Sequence, residues 1–367
     1  MDSRIREHAE TLVDWSARIE SGDTVVVSVG EGAHDLAVAV AEKLGERGAE
    51  YHPVYASPEM SRAYLRAHDG DFSDGSDIEV ALYDKADSVL SLRGTRNTSA
   101  SADVSEETRQ AYGKSRQESR EVRMDTDWVS TVHPTRALAQ QAGMSYEGYC
   151  DFVYDAILRD WEALAEEMSQ LKQILDDGSE VRIHKAGDET DLTLSIAGRT
   201  AVNSAASVAY DSHNLPSGEV FTAPTATEGE VRFDVPMTIR GTQLRNAWLA
   251  FEDGEVVDYS ADQGESVLGG IIETDNGARR LGELGVGMNR GIDRVTDQIL
   301  FDEKMGGTVH LALGRAYDAN LPEGESGNDS AVHTDLITDM RTEGTELRVD
   351  GELIQRDGVF RWEEDFE

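Results

Sequence analysis

Cysteine, lysine and long apolar runs are what this 367-residue chain has least of. Its one cysteine, Cys150, permits no intrachain disulfide and no thiolate zinc site, and it fits a reducing compartment. No stretch approaches the roughly 18 apolar residues of a membrane-spanning helix. The start of the chain carries Asp2, Arg4, Arg6 and Glu7 and lacks the apolar centre of a secretory signal. Together these absences read as a soluble, cytoplasmic protein. Lysine occurs six times (Lys43, Lys85, Lys114, Lys172, Lys185, Lys304), so arginine supplies 28 of the 34 cations. Against them stand 72 acids, for a net charge of −38. A field of that sign repels phosphate backbones and anionic lipid, which argues against nucleic acid or a membrane as partner. The acid is not a disordered tail: 39% of residues are hydrophobic and periodic segments run between the charges, so the chain is expected to fold. Excess acid with scarce lysine is the composition expected of a halophilic protein, whose self-repulsion concentrated salt screens.

At roughly 150 residues per domain, the length implies two domains. The first 150 residues alternate strand-like and helix-like segments, the pattern of an open α/β sheet. Thr24-Val25-Val26-Val27-Ser28-Val29 is a β-branched run, and after Gly30-Glu31-Gly32 the apolar positions Leu36, Val38, Val40, Ala41 and Leu44 suit one face of a helix that Gly48 ends. Residues 51–55 and 86–92 are predicted as buried strands, with helices over 60–67 and 106–117 between them. From His133-Pro134 to about Ile174 the pattern is helical, with Ser145 as an N-cap, and this is the expected hinge. Beyond it residues 180–184, 191–196 and 230–235 alternate with the period of strands. A hairpin is predicted at Glu252-Asp253-Gly254, and a final meander turns at Asp350-Gly351 and Asp357-Gly358. The expected fold is α/β, α+β over the whole chain: an N-terminal α/β domain with a helical connector over 1–178, and a strand-rich catalytic domain over 179–367.

Two familiar motifs fail. Gly30-Glu31-Gly32 lacks the third glycine of a dinucleotide fingerprint and sets an acid where pyrophosphate would approach. Pro216-Ser217-Gly218 lacks the glycine pattern of a nucleophile elbow. Better candidates lie later. His333-Thr334-Asp335 projects an imidazole and a carboxylate from one face of a β-like stretch, a pairing that borderline divalent metals accept. In residues 308–314, Val309, Leu311 and Leu313 mark a buried face, which leaves His310 opposite, beside the small Ala312 and Gly314. Glu219 is held between Pro216-Ser217-Gly218 and Pro224 in an apolar run, and Glu283 stands in the uncharged Leu281-Gly282-Glu283-Leu284-Gly285. Taken singly, each is more often a satisfied structural residue or a solvated acid.

Order and context lift them above that. The strings Asn-x-Pro-x-Gly-Glu-Val-Phe-Thr-Ala-Pro (214–224), Leu-Gly-Glu-Leu-Gly (281–285), Asp-Glu-Lys-x-x-Gly-Thr-x-His-x-Ala-Leu-Gly-x-Ala-Tyr (302–317) and His-x-Asp (333–335) resemble the thermophilic aminopeptidase T/aminopeptidase S family of metallopeptidases. Residues 132–145 and the C-terminal meander extend the likeness over nearly the whole chain. The resemblance implies metal ligands at Glu219, Glu283, His310, Tyr317, His333 and Asp335. It departs at Thr334, where the family often has an aromatic, at Asp275-Asn276-Gly277-Ala278, and in the polar loop between Tyr317 and His333; none of these removes a ligand.

What the resemblance implies is a dinuclear metalloexopeptidase that removes the N-terminal residue from peptides. Two divalent ions, zinc, cobalt, manganese or magnesium, would activate water, with Glu283 and Tyr317 as catalytic residues. It also implies a homodimer acting on short or unfolded peptides. A hydrolase of another bond, such as a phosphoester, and a non-catalytic peptide- or metal-binding homologue are the alternatives.

Overall fold

The computed structural model describes residues 2–72, 77–187, 190–239 and 241–366. The chain divides into two compact units, residues 1–159 with 206–216, and residues 160–205 with 217–367. The sequence puts the boundary at 178. Two segments differ: residues 206–216 join the first unit, and the helix Trp161–Asp177, with its buried face (Trp161, Leu164, Ala165, Met168, Leu171, Leu175), belongs to the second. There Asn203 Nδ2 donates to the Ala165 carbonyl at 2.9 Å. An amphipathic helix shows that it has a buried side but not which neighbour will cover it.

The first unit holds a five-stranded parallel sheet in the order Glu50–Ala56, Thr24–Gly30, Ser88–Arg93, Asp127–Val132, Asn214–Leu215. Between the first two strands in sequence runs the helix His34–Arg47, closed by Gly48 at φ 76. Ser145 caps Tyr146–Ile157 by accepting from the Gly148 N–H. Ser88–Arg93 is buried from Ser88 to Leu92 except at the half-buried Ser91, as expected, but every residue of Glu50–Ala56 is exposed, contrary to the predicted buried strand. It is the sheet's edge, paired on one side only, and its Pro53 offers no donor to a further strand.

His8 is fully buried in this unit. Thr131 Oγ1 donates to the Leu215 carbonyl at 2.8 Å, so His8 Nε2 is the donor in its own 2.7 Å bond to that hydroxyl. Its Nδ1 is left without a partner among the described residues. Burial, assisted by the nearby His133, pushes the His8 pKa down to about 3 from 6.5. Between those values the unfolded chain takes up a proton that the folded chain refuses. Stability therefore falls as pH drops from 6.5 towards 3, by up to about 1.4 kcal/mol per pH unit, and is unaffected above 6.5. Urea unfolding followed from pH 6.5 to 4 should show this slope and show it flattened in His8→Gln; equal slopes would mean that the ring is charged in the fold.

The second unit holds two antiparallel sheets and a two-stranded ribbon. The larger runs in the order Glu255–Ser260, Ala247–Glu252, Ala226–Phe233, Thr190–Ser195, Glu180–Lys185, Thr345–Val349, Glu352–Arg356, Val359–Phe360. Three of its hairpins turn on Asp253-Gly254, Asp350-Gly351 and Asp357-Gly358, each with both φ angles positive. That backbone matches the twist of the strands it joins, and Asp-Gly adopts it at little cost. The smaller sheet runs His333–Asp339, Thr308–Gly314, Leu281–Gly287, Glu219–Thr222, Val202–Ser204. Its two central long strands, Leu281–Gly287 and Thr308–Gly314, are buried along their whole length. Among the described residues no helix is long and apolar enough to cross a membrane.

Candidate metal centre

The smaller sheet brings five of the six residues singled out in the sequence to one face. Residues paired across antiparallel strands share a face, as do residues two apart in one strand. Asp335 is opposite Ala312, and Ala312 is opposite Glu283. His333 is opposite Gly314, His310 is opposite Gly285, and Glu219 is opposite Gly287. The face thus carries three carboxylates and two imidazoles, separated by Ala312, Gly314, Gly285 and Gly287.

Two irregularities make that face. The register slips between Leu281 and Glu283, so that Leu281 pairs with Leu313 while Glu283 pairs with Ala312. An unbroken strand would set Leu281 beside Glu283; the bulge turns the leucine to the apolar face and leaves the glutamate on the polar one. Gly285 is the second. A Cβ there would lie 2.0 Å from His310 Nε2, so the imidazole rests directly on the glycine. The sequence pattern predicts His310 on a face roomy enough for a ligand; the structure shows both faces covered and His310 fully buried.

Glu283, His333 and Asp335 each offer one ligand atom within 4.8 Å of the others. His310 Nε2 lies 2.9 Å from Glu283 Oε1 and 3.6 Å from Glu219 Oε2, while His333 Nε2 lies 3.7 Å from Glu283 Oε2 and 3.5 Å from Asp335 Oδ1. His333 Nδ1 donates to the Arg315 carbonyl at 2.8 Å, which directs Nε2 at the carboxylates. Tyr317 stands at the rim, 46% exposed, its ring 4.8 Å from that of His333.

Electrostatically the face behaves as a cation trap. Burial would strip protons from the imidazoles, yet the carboxylates win: Glu283, Glu219 and Asp335 raise His310 to about 10, and Asp335 and Glu283 raise His333 to about 9. Burial pushes the Glu283 carboxyl up against the pull of His310. Asp335, for which burial acts in the same upward direction, is held below its ordinary value by His333, His310 and Lys304. Burial and the carboxylates push the Tyr317 phenol up, so it stays protonated and is a donor. Glu219 Oε2 and His310 Nδ1 are buried without hydrogen-bond partners among the described residues. Buried carboxylate and imidazole atoms in that state, beside imidazoles that gather protons, fit a divalent cation, whose binding displaces those protons.

The sequence left two residues unassigned. Lys304 is fully buried, its Nζ 3.3 Å from Glu219 Oε1 and in contact with Glu303. Gly287, opposite Glu219, lets the backbone of Lys304 and Met305 come close: a Cβ there would meet the Met305 carbonyl oxygen at 2.2 Å. The two carboxylates raise the Lys304 ammonium pKa despite burial. Burial raises Glu303 to about 8, with Glu219 and Asp335 adding to the rise. The only signal in sequence was a lysine, rare in this chain, next to an acid within the 302–317 string.

A family model described as thermophilic metalloprotease (M29) matches residues 1–360. Aminopeptidase T of Thermus aquaticus is 33% identical over 259 residues, 62% of this chain and 62% of that protein. Aminopeptidase T of Thermus thermophilus is 32% identical over 268 residues, 64% of this chain and 63% of its own length. The matched stretches therefore span a little under two thirds of these relatives. The solved structure of wild-type AmpT from Thermus thermophilus superposes with a TM-score of 0.84 at 25% identity, covering 98% of this chain and 99% of its own. A 2,5-dihydroxypyridine dioxygenase from Pseudomonas putida KT2440 shares the fold alone, with a TM-score of 0.59 at 13% identity, covering 99% of this chain and 97% of its own.

Proposed function

The chain belongs to the thermophilic metalloprotease family M29, and on that premise we propose that it is a metal-dependent aminopeptidase, a hydrolase that removes the N-terminal residue of peptides. The observation that carries this reading is the convergence of Glu219, Glu283, His310, His333 and Asp335 on one face of one sheet.

Those five residues, with Tyr317 at the rim, would hold two divalent ions drawn from zinc, cobalt, manganese and magnesium. Such ions lower the pKa of a water, polarise a carbonyl and accept a free α-amine. Glu283 takes the proton from the attacking water as its oxygen bonds to the scissile carbonyl carbon. It then delivers that proton to the leaving nitrogen as the C–N bond breaks, giving a free amino acid and the shortened peptide. Burial suits Glu283 to this task, because a raised pKa brings a carboxyl towards the range in which it both accepts and returns a proton. His310 and His333 are positioned by Gly285 and by the Arg315 carbonyl. Tyr317, protonated, donates to the carbonyl oxygen as it gains charge.

The finer reading is of a cytoplasmic homodimer adapted to salt, acting on short or unfolded peptides. It is supported by the single cysteine, by the charge of −38 and by the family. A phosphoesterase finds less support, since Lys304, the ammonium at the centre, is already engaged by two carboxylates. Exhaustive chelation should abolish release of the chromophore from an amino-acid anilide, and one of the four ions should restore it. Activity that survives chelation would sink the reading. Metal uptake without release of free amino acids from a peptide pool would mark a non-catalytic homologue.

A further inference from the structure

The first unit contains a cavity of about 590 Å³ to which the metal centre contributes nothing, lined by residues that include Glu31, His34, Arg96, His133, Arg136 and Tyr146. It opens at the carboxyl ends of three parallel strands, Thr24–Gly30, Ser88–Arg93 and Asp127–Val132, because its lining comes from the loops that follow each. In this sheet the chain leaves Thr24–Gly30 to one side to build Glu50–Ala56 and returns to the other side to build Ser88–Arg93. The loops diverge at that reversal, and a crevice opens between them where open parallel sheets take their ligands.

The charges there are selective. In a chain with 72 acids, neither Arg96 nor Arg136 meets a carboxylate at ion-pair distance among the described residues; the Arg136 guanidinium lies 4.7 Å over the Tyr146 ring. The 14-residue helix His34–Arg47 starts at the cavity, and its N-cap is Ala33, which has no side chain to receive the first-turn N–H groups. His133 lines the cavity at 6% exposure, with its Nδ1 bonded to no described group. Glu31, whose charge argues in the sequence against an anion, is used up within the protein. Its Oε2 accepts from Ser57 Oγ at 2.8 Å and its Oε1 from the Arg96 N–H at 3.1 Å.

We propose that this cavity is a second ligand site, which binds a small oxyanion, carboxylate or phosphate, on Arg96, Arg136 and the open first turn of the His34–Arg47 helix. Asp35, also in the lining, decides between the two sources. It meets the ammonium of a free amino acid favourably and repels phosphate.

The test is calorimetric titration of the metal-loaded full chain with inorganic phosphate and, separately, with L-leucine. Both ligands have groups that metals bind, so the quantity read is the binding event lost in Arg96→Gln/Arg136→Gln. A loss of at least tenfold in affinity for one event per chain is expected, with Arg120→Gln/Arg159→Gln, exposed arginines outside the lining, unchanged as a control for net charge. Asp35→Asn should weaken leucine if the amino acid is the ligand and strengthen phosphate if phosphate is. No event beyond those retained by the double variant, or equal loss in the control, overturns the proposal.

Discussion

Glu283→Gln is expected to lower kcat by about two to four orders of magnitude while the chain keeps its fold. The change replaces one oxygen by an amide nitrogen, so packing in a site where Glu283 is 5% exposed is conserved. It removes the negative charge that lies 2.9 Å from His310 Nε2 and 3.7 Å from His333 Nε2. A positioned general base contributes about 10²–10⁴ in rate, and an amide cannot carry a proton through the cycle. Elemental analysis of the same variant separates its two roles. A full metal count with collapsed turnover assigns proton transfer; a lost ion with collapsed turnover assigns ligation. Near-normal turnover would remove Glu283 from the chemistry.

Lys304→Met carries the largest expected effect on stability. Methionine fills the volume of the lysine stem but leaves Glu219 and Glu303 in a buried setting without the ammonium that both contact. Breaking a buried charge pair by removing one partner costs about 3–5 kcal/mol, much of it the penalty of the charge left behind. The loss should be largest in chelated protein and smaller when divalent ions are present, because a metal supplies positive charge to Glu219, one of the two carboxylates. Chemical unfolding of parent and variant, each with and without zinc, measures this directly. A variant as stable as the parent in chelator would mean that Glu303 simply takes a proton, as its raised pKa allows, and that Lys304 is dispensable.

These expectations rest unequally on the sequence. The Asp-Gly turns were legible because the residue types and the backbone they need are local. The Thr24–Gly30 and Ser88–Arg93 strands were legible because a central parallel strand is apolar along most of its length, as Val25-Val26-Val27 and Val89-Leu90 are here. The exposure of Glu50–Ala56 was not, since Tyr51, Val54 and Tyr55 read as core until the sheet is seen to end there. In the site, Glu219, Glu283, His310, His333 and Asp335 were each undistinguished alone; their strings and order made them candidates, and strand register is what relates them in space. Glu303 could not be found by pattern among 72 acids. It follows a four-residue helix, Ile299–Asp302, too short to show a period, and only the fold brings its neighbour Lys304 to Glu219.

Gly285 under the His310 ring has an evolutionary consequence. Because a methyl group at 285 would collide with the imidazole, the two positions form one heritable unit although 25 residues separate them. A lineage that abandons His310 is freed to accept alanine at 285, and once alanine is established there, histidine cannot return without first restoring glycine. Loss of the centre in descendants of this chain would therefore be ratcheted, and the residue beneath the ligand would record it.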